Sequence, residues 1–170
     1  APFVQCPSLS AIYGEYASED HRCLIFEGKL IIFAPTDLAK YTIPDNITSI
    51  GTFAFGWCSG LRSITIPNSV TSIDSHAIVN CTVLASLKFP DSISYIGESN
   101  GSGCSSLQEI TIGRFITHMG CLHLEECFKL TTINSNAINC TDSQYSFQRC
   151  CVKTLNIGEE VEAIPAGAFR

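Results

Sequence analysis

The stretch Cys58-Ser-Gly-Leu61-Arg-Ser-Ile64-Thr-Ile66-Pro67 decides the fold, because its pattern returns at a fixed interval. Cys58, Cys81, Cys104, Cys127 and Cys150 each stand 23 residues after the last. Leu61, Leu84, Leu107 and Leu130 follow the first four at three residues, and Ile64, Leu87, Ile110 and Ile133 follow at three more. The last copy slips by one, to Val152 and Leu155. Two residues further on come Ile66, Phe89, Ile112 and Ile157, with Ile43 one step before and Ser135 breaking the series once. Self-similarity at a fixed period of this length is the mark of a stack of coils, each burying its apolar residues against the coils above and below.

Within one coil, the alternation Ile64-Thr65-Ile66 puts isoleucine inward and threonine outward, as a strand with one wet face requires. Pro44, Pro67 and Pro90 close the strand by removing a donor. A second apolar pair follows in each copy: Ile47/Ile50, Val70/Ile73, Ile93/Ile96, Ile116/Met119 and Val161/Ile164. Ala54-Phe55, Ala77-Ile78 and Ala168-Phe169 then turn the chain back to the cysteine. Asn100-Gly101 replaces that Ala-Phe once, and Asn134 to Ser146 lacks the regular apolar pair.

Phe3, Cys6, Leu9 and Ile12 match Phe55, Cys58, Leu61 and Ile64, but Cys6 lies 52 residues before Cys58, six more than two periods. The extra length includes Cys23 to Phe33, two apolar runs around a glycine-containing turn, which reads as a β-hairpin. The expected organisation is a single solenoid over 1–170. It comprises a partial repeat at 1–14, a hairpin insertion at 15–35 and about five further repeats over 36–170, the last truncated. No polar capping repeat is visible, so the chain reads as part of a longer array.

Composition agrees with extended structure. Hydrophobic residues make up 45% of the chain and charged residues only 15%, which supports a continuous core and argues against disorder. A net charge of -6 gives no overall basic character for nucleic acid. The most apolar stretch, Cys23 to Pro35, is interrupted by Glu27, Gly28 and Lys29 and falls short of the roughly 20 residues that span a bilayer.

The residues Ile43-Pro-Asp-Asn-Ile-Thr-Ser-Ile-Gly51, Ala54-Phe55, Cys58-Ser-Gly-Leu61 and Ile64-Thr-Ile-Pro67 closely resemble the BspA-like leucine-rich repeat family. Ser18 to Ile25 with Phe33-Ala-Pro35 is similar to the hairpin insertion of such proteins from gut anaerobes. The resemblance implies a β-rich, leucine-rich-repeat-like right-handed coil with one parallel strand per repeat and little regular helix. It also implies a surface lipoprotein or secreted protein outside the cell, engaged in adhesion to a host or neighbouring-cell protein or glycan. No enzyme activity, metal or cofactor is expected, and a monomer is the expected state.

The candidate ligand face follows from stacking. Lys40/Thr42, Ser63/Thr65, Ser86/Lys88, Glu109/Thr111, Thr132/Asn134 and Thr154/Asn156 flank the inward residue of each strand and line up into a hydroxyl-rich ribbon. Such a surface suits a long peptide or glycan that bonds to many coils. The plainer reading is that Ser and Thr suit exposed strands and form cross-strand hydroxyl ladders. A passive stalk that holds another domain away from the envelope is the alternative function.

Of the ten cysteines, the five equivalent ones read as a stack of small buried thiols. The pairing of Cys23, Cys121, Cys140 and Cys151 is left open. Cys121-Leu-His123 with Cys127 is the nearest approach to a zinc-ligand pattern, and Cys127 is explained by the ladder. His21, His76, His118 and His123 have no repeated acid partner that would mark a nucleophile and base, and Glu19 and Asp20 are adjacent, so an extended chain points them apart. Trp57, whose equivalents are Asn80, Gly103, Glu126 and Arg149, is either a contact anchor or a cover for a neighbouring coil. The sequons at Asn46, Asn80 and Asn139 arise easily in Thr-rich repeats.

Overall fold

The structure, a computed structural model, describes residues 6, 8–35, 38–124, 126–140, 142–143 and 151–164, with the backbone alone at 142–143. Cys150, Arg149, Phe3 and Ala168-Phe169 lie outside the described residues. Among those described there is no helix, and the chain winds as a β-solenoid. The strands of the L-x-x-I-x-I motif are β3 (Lys40–Thr42), β5 (Ser63–Thr65), β7 (Ser86–Lys88), β9 (Glu109–Ile112), β11 (Thr132–Ser135) and β13 (Thr154–Ile157). They stack in parallel, with β3 beside β5 and with β7, β9, β11 and β13 in one four-stranded sheet. Ladder bonding lapses between β5 and β7, where the Ala85 amide still donates to Arg62 O at 3.2 Å.

The slip in the last copy appears in the register: Ile110 pairs with Ile133 and Ile133 with Leu155. Inward Leu87, Ile110 and Ile133 are at most 1% exposed. Tyr41 takes the same position in the first coil and Ile64 in the second.

Each coil also carries a second parallel strand beyond the one expected. β4 (Ser49–Ile50), β6 (Ser72–Ile73), β8 (Tyr95–Ile96), β10 (His118–Met119) and β12 (Asp142–Ser143) continue the sheet begun by the hairpin β1 (Cys23–Phe26) and β2 (Lys29–Phe33), giving seven strands in all. The apolar pairs seen in the sequence supply its buried side, with Ile47, Ile50, Val70, Ile73, Ile93, Ile96 and Ile116 all fully buried. Two-residue strands leave too few alternating positions to be recognised by periodicity. On the edge of this sheet the hydroxyls of Thr71, Ser94 and Thr117 donate to the carbonyls of Thr48, Thr71 and Ser94, each 23 residues earlier, at 3.1–3.3 Å. The amides of the same residues donate to the same carbonyls. The hydroxyl ladder expected on the first sheet therefore runs along the second.

The hairpin is built as its sequence suggests: Glu27 and Gly28 both adopt positive φ, 48° and 74°, as a two-residue turn between antiparallel strands demands. β2 then pairs in parallel with β4, Leu30 against Ile50, so the insertion occupies the place of a preceding coil. Phe33 packs on Tyr41 and Phe55 at ring distances of 4.4 and 4.9 Å. Cys23 Sγ and the Tyr41 hydroxyl form a buried hydrogen bond at 3.1 Å, while Ser18 Oγ donates to Asp20 at 2.5 Å and accepts the Cys23 amide at 2.8 Å. Burial pushes the Cys23 thiol up to about 11, against the hydrogen bond to Tyr41. Burial also opposes ionisation of Asp20, but the Ser18 hydroxyl, the Arg22 amide and other partners outweigh it and hold the carboxyl below its usual range.

The departures noted in the sequence have physical explanations. Asn100, fully buried where other coils have Ala54 and Ala77, accepts the Ile78 amide and donates to Asp74 O and Gly97 O, at 2.9–3.1 Å. Leu124 fills the space left by Gly101: a side chain there would sit 3.0 Å from Leu124 Cδ2. Cys58, Cys81, Cys104 and Cys127 are buried. Cys81 and Cys127 thiols donate to Phe55 O and Gly101 O, each 26 residues back in the preceding coil. At Cys81 the hydrogen bond with Cys104 favours the thiolate, but the bond with Cys58 and burial outweigh it and hold the thiol well above its usual range. Cys104 is pushed up by its bond with Cys81 and by burial. Cys23 and Cys140 are buried as well, and Cys151 is exposed.

Candidate functional site

Stacking the long strands brings the outward residues into two rows. The N-terminal row pairs Lys40 with Ser63 across the first two coils, and Ser86, Glu109, Thr132 and Thr154 across the others. The C-terminal row pairs Thr42 with Thr65, then Lys88, Thr111, Asn134 and Asn156. Lys40, Thr42, Thr65, Ser86, Lys88, Glu109, Thr154 and Asn156 are exposed; Ser63, Thr111, Thr132 and Asn134 are half-buried.

The rows are not uniform. On the later coils the Asn134 amide donates to Glu109 and, at 3.3 Å, to Thr111 Oγ1, and the Asn156 amide donates to Asn134 Oδ1 at 2.7 Å. These side chains bind each other, an amide ladder that accounts for their presence without any ligand. On the first three coils the outward groups are exposed to solvent, except Ser63, which is half-buried.

A groove of about 600 Å3 opens at the C-terminal ends of β7 and β9. Its wall carries Lys88 and Thr111 from the strand face, together with Asp91, Arg114, Asn136 and Glu160. Arg114 donates its backbone amide to Asp91 at 3.0 Å and its guanidinium forms a salt bridge with Glu160. Gly113 makes the close packing possible: a Cβ there would lie 2.4 Å from Pro90 O. The sequence pattern gave only the strand part of this site. The signal for the rest was the change from Pro67 and Pro90 to Gly113, Asn136 and Gly158 at the strand exits.

One side-chain pair was passed over in the sequence. Ser99 stands between glycines in Gly97-Glu98-Ser99-Asn100-Gly101, takes φ 60°, and places Oγ 3.0 Å from His123 Nδ1. An acyl-transfer site also needs amide donors beside the nucleophile. Here the Ser99 and Gly101 amides are spent on Cys121 O and Ile78 O, and Ser99 is 6% exposed. His76 and Phe53, one and two coils earlier, share the same positive φ, so the conformation belongs to the repeat. The pair is a tie between coils. Because His123 faces Ser99 and Cys127 donates to Gly101 O, the zinc-like spacing does not converge. Trp57 lies half-buried across Phe53 at 5.5 Å and covers a turn, and Phe53 in turn stacks on His76 at 5.2 Å.

A solenoid with no helix among its described residues, two parallel strands per coil and an open strand face defines a repeat scaffold with a polar ribbon. The BspA-type leucine-rich repeat region matches residues 31–142 in six copies, and the chain belongs to that family. Solved structures with TM-scores above 0.5 agree on the fold. The T. pallidum leucine-rich repeat protein TpLRR is 16% identical over 96% of this chain and 88% of its own, with a TM-score of 0.59. The pneumococcal vaccine antigen PcpA is 14% identical over 85% of this chain and 50% of its own, with a TM-score of 0.51. A leucine-rich cell surface protein of Faecalibacterium prausnitzii is 18% identical over 78% of this chain and 45% of its own, with a TM-score of 0.46. This chain thus spans about half the length of the latter two. No curated protein sequence matches significantly. No helix among the described residues is long and apolar enough to cross a membrane.

Proposed function

We propose that the chain is a non-enzymatic binding module that works outside the cell, on a surface or secreted protein, and adheres to a host or neighbouring-cell protein or glycan through the strand face. The observation that carries this reading is the pair of outward rows, from Lys40/Thr42 to Ser86/Lys88 and exposed except at Ser63, which runs into the groove at Lys88 and Thr111. An extended ligand laid across such coils bonds to a surface that is already ordered, so little conformational entropy is lost on the protein side. The family and the likeness to a pneumococcal antigen support an extracellular setting.

The amide ladder Glu109–Asn134–Asn156 favours a second reading, a rigid spacer whose outward side chains serve the coil stack alone. Binding of the chain to arrayed matrix proteins and glycans separates the two. A binding module gives saturable binding that falls when Lys40, Lys88 and Glu109 are all changed to Ala. A spacer gives no binding, or binding indifferent to these changes.

A further inference from the structure

The strand face is electrically divided, and we infer that its first three coils form a docking surface for a sulfated polysaccharide. This rests on the strand face being a binding surface and specifies its partner. The chain as a whole carries -6, yet Lys40, Arg62 and Lys88 all lie exposed on or directly beside β3, β5 and β7, strands that contain no acidic residue. Salt bridges among the described residues are Lys29 with Asp74 and Arg114 with Glu160, so these three cations remain without an ion-pair partner there. Acidic groups near the face lie past the strand ends or on later coils. Asp45 and Asp91 follow the strands, Asp91 holding the Arg114 amide, Glu109 is bonded by Asn134, and Glu159 and Glu160 of a later coil line the groove with Lys88, Glu160 paired with Arg114.

Geometry selects among polyanions. Lys40 and Lys88 are separated by two strand spacings and two residues of rise, on the order of 12 Å, a span that a short oligosaccharide crosses. Between them stand the hydroxyls of Thr42, Ser63, Thr65 and Ser86, which suit the sulfate oxygens and ring hydroxyls of a glycan. Single-stranded nucleic acid would call for exposed aromatic platforms, and none of the outward residues of β3, β5 and β7 is aromatic. The cations stand on parallel, stacked coils, so they are already gathered before an anion arrives.

The test is binding of the whole chain to immobilised heparin, to the same polymer after desulfation, and to polyglutamate, at increasing sodium chloride. Saturable heparin binding is expected, weakening with salt as screening predicts and falling about tenfold or more in Lys40→Gln/Arg62→Gln/Lys88→Gln. Lys129→Gln, on a later coil ahead of β11, and Glu109→Gln should not weaken it, and thermal unfolding of every variant should match the parent. Equal binding to sulfated and desulfated polymer, equal binding to polyglutamate, or a triple variant that binds heparin like the parent overturns the inference. If heparin fails while another arrayed ligand binds and is lost on Thr42→Ala/Thr65→Ala, only the choice of partner is wrong. If nothing binds, the strand-face reading falls with it.

Discussion

At its N-terminal end the coil stack is covered by the hairpin, whereas among the described residues no strand pairs with the outer side of β13. Leu30 and Phe33 of β2 are 0% and 3% exposed. Leu155 and Ile157 of β13 are 40% and 42% exposed, although Leu155 continues the column of Ile110 and Ile133, both fully buried. Leu155 holds the motif position of Ile110 and Ile133 and is apolar like them. What differs is the neighbour. In a solenoid a leucine has no core of its own coil to sink into, so its contribution is set by whether another coil lies on it.

The largest expected effect follows from that contrast. Leu107→Ala or Ile110→Ala, truncating a fully buried column residue, should cost roughly 2 to 5 kcal/mol in urea unfolding, as other core truncations do. Leu155→Ala should cost less than half as much. Equal losses would mean that β13 is buried by something in solution.

The covered end carries its own signature in alkali. The Cys23 thiol ordinarily titrates at 9.0 and is held at about 11 in the fold, so above pH 9 the unfolded chain releases a proton that the folded chain keeps. Stability is therefore full below pH 9 and declines as pH rises through 11, by up to roughly 2 to 3 kcal/mol from this group. Cys81 and Cys104 act in the same direction. Chemical denaturation at pH 8 and pH 10.5 should show the drop, and Cys23→Ala should reduce it. An undiminished drop would place its origin in the thiol ladder instead.

Asn100→Ala restores the small residue of earlier coils yet strands the buried Ile78 amide, for a cost of about 1 to 3 kcal/mol. If it stabilised the chain instead, the amide network would be a passenger. Least of all, Thr65→Ala on the exposed face should change stability by less than about 0.5 kcal/mol.

Much of this was legible because the period fixes which residues stack. The slip at Leu155, the hairpin and the buried column of Cys58, Cys81 and Cys104 all follow from counting along the chain. The second strand in each coil escaped because Ser49-Ile50 and Ser72-Ile73 are too short to alternate. The placement of the hydroxyl ladder escaped for a different reason. Threonines occur on both sheets, and the sequence does not show that the Thr71 hydroxyl turns back onto Thr48 O while Thr65 faces solvent. Asn100 looked like a break in the pattern and Ser99 drew no reading, since a sequence shows the apolar residue that is missing and not the partners a polar one will find. The groove at Arg114 needs the Gly113 close approach, a three-dimensional fact.

The line of thiols along the core turns the protein into its own recorder of local opening. Cys58, Cys81 and Cys104 are at most 1% exposed and sit one to a coil. A maleimide reagent can label each only when that coil parts from its neighbour. Mass spectrometry of the labelled peptides would then read breathing rates coil by coil, without introducing a probe, and would show whether disorder enters the stack from the open end and stops before the hairpin.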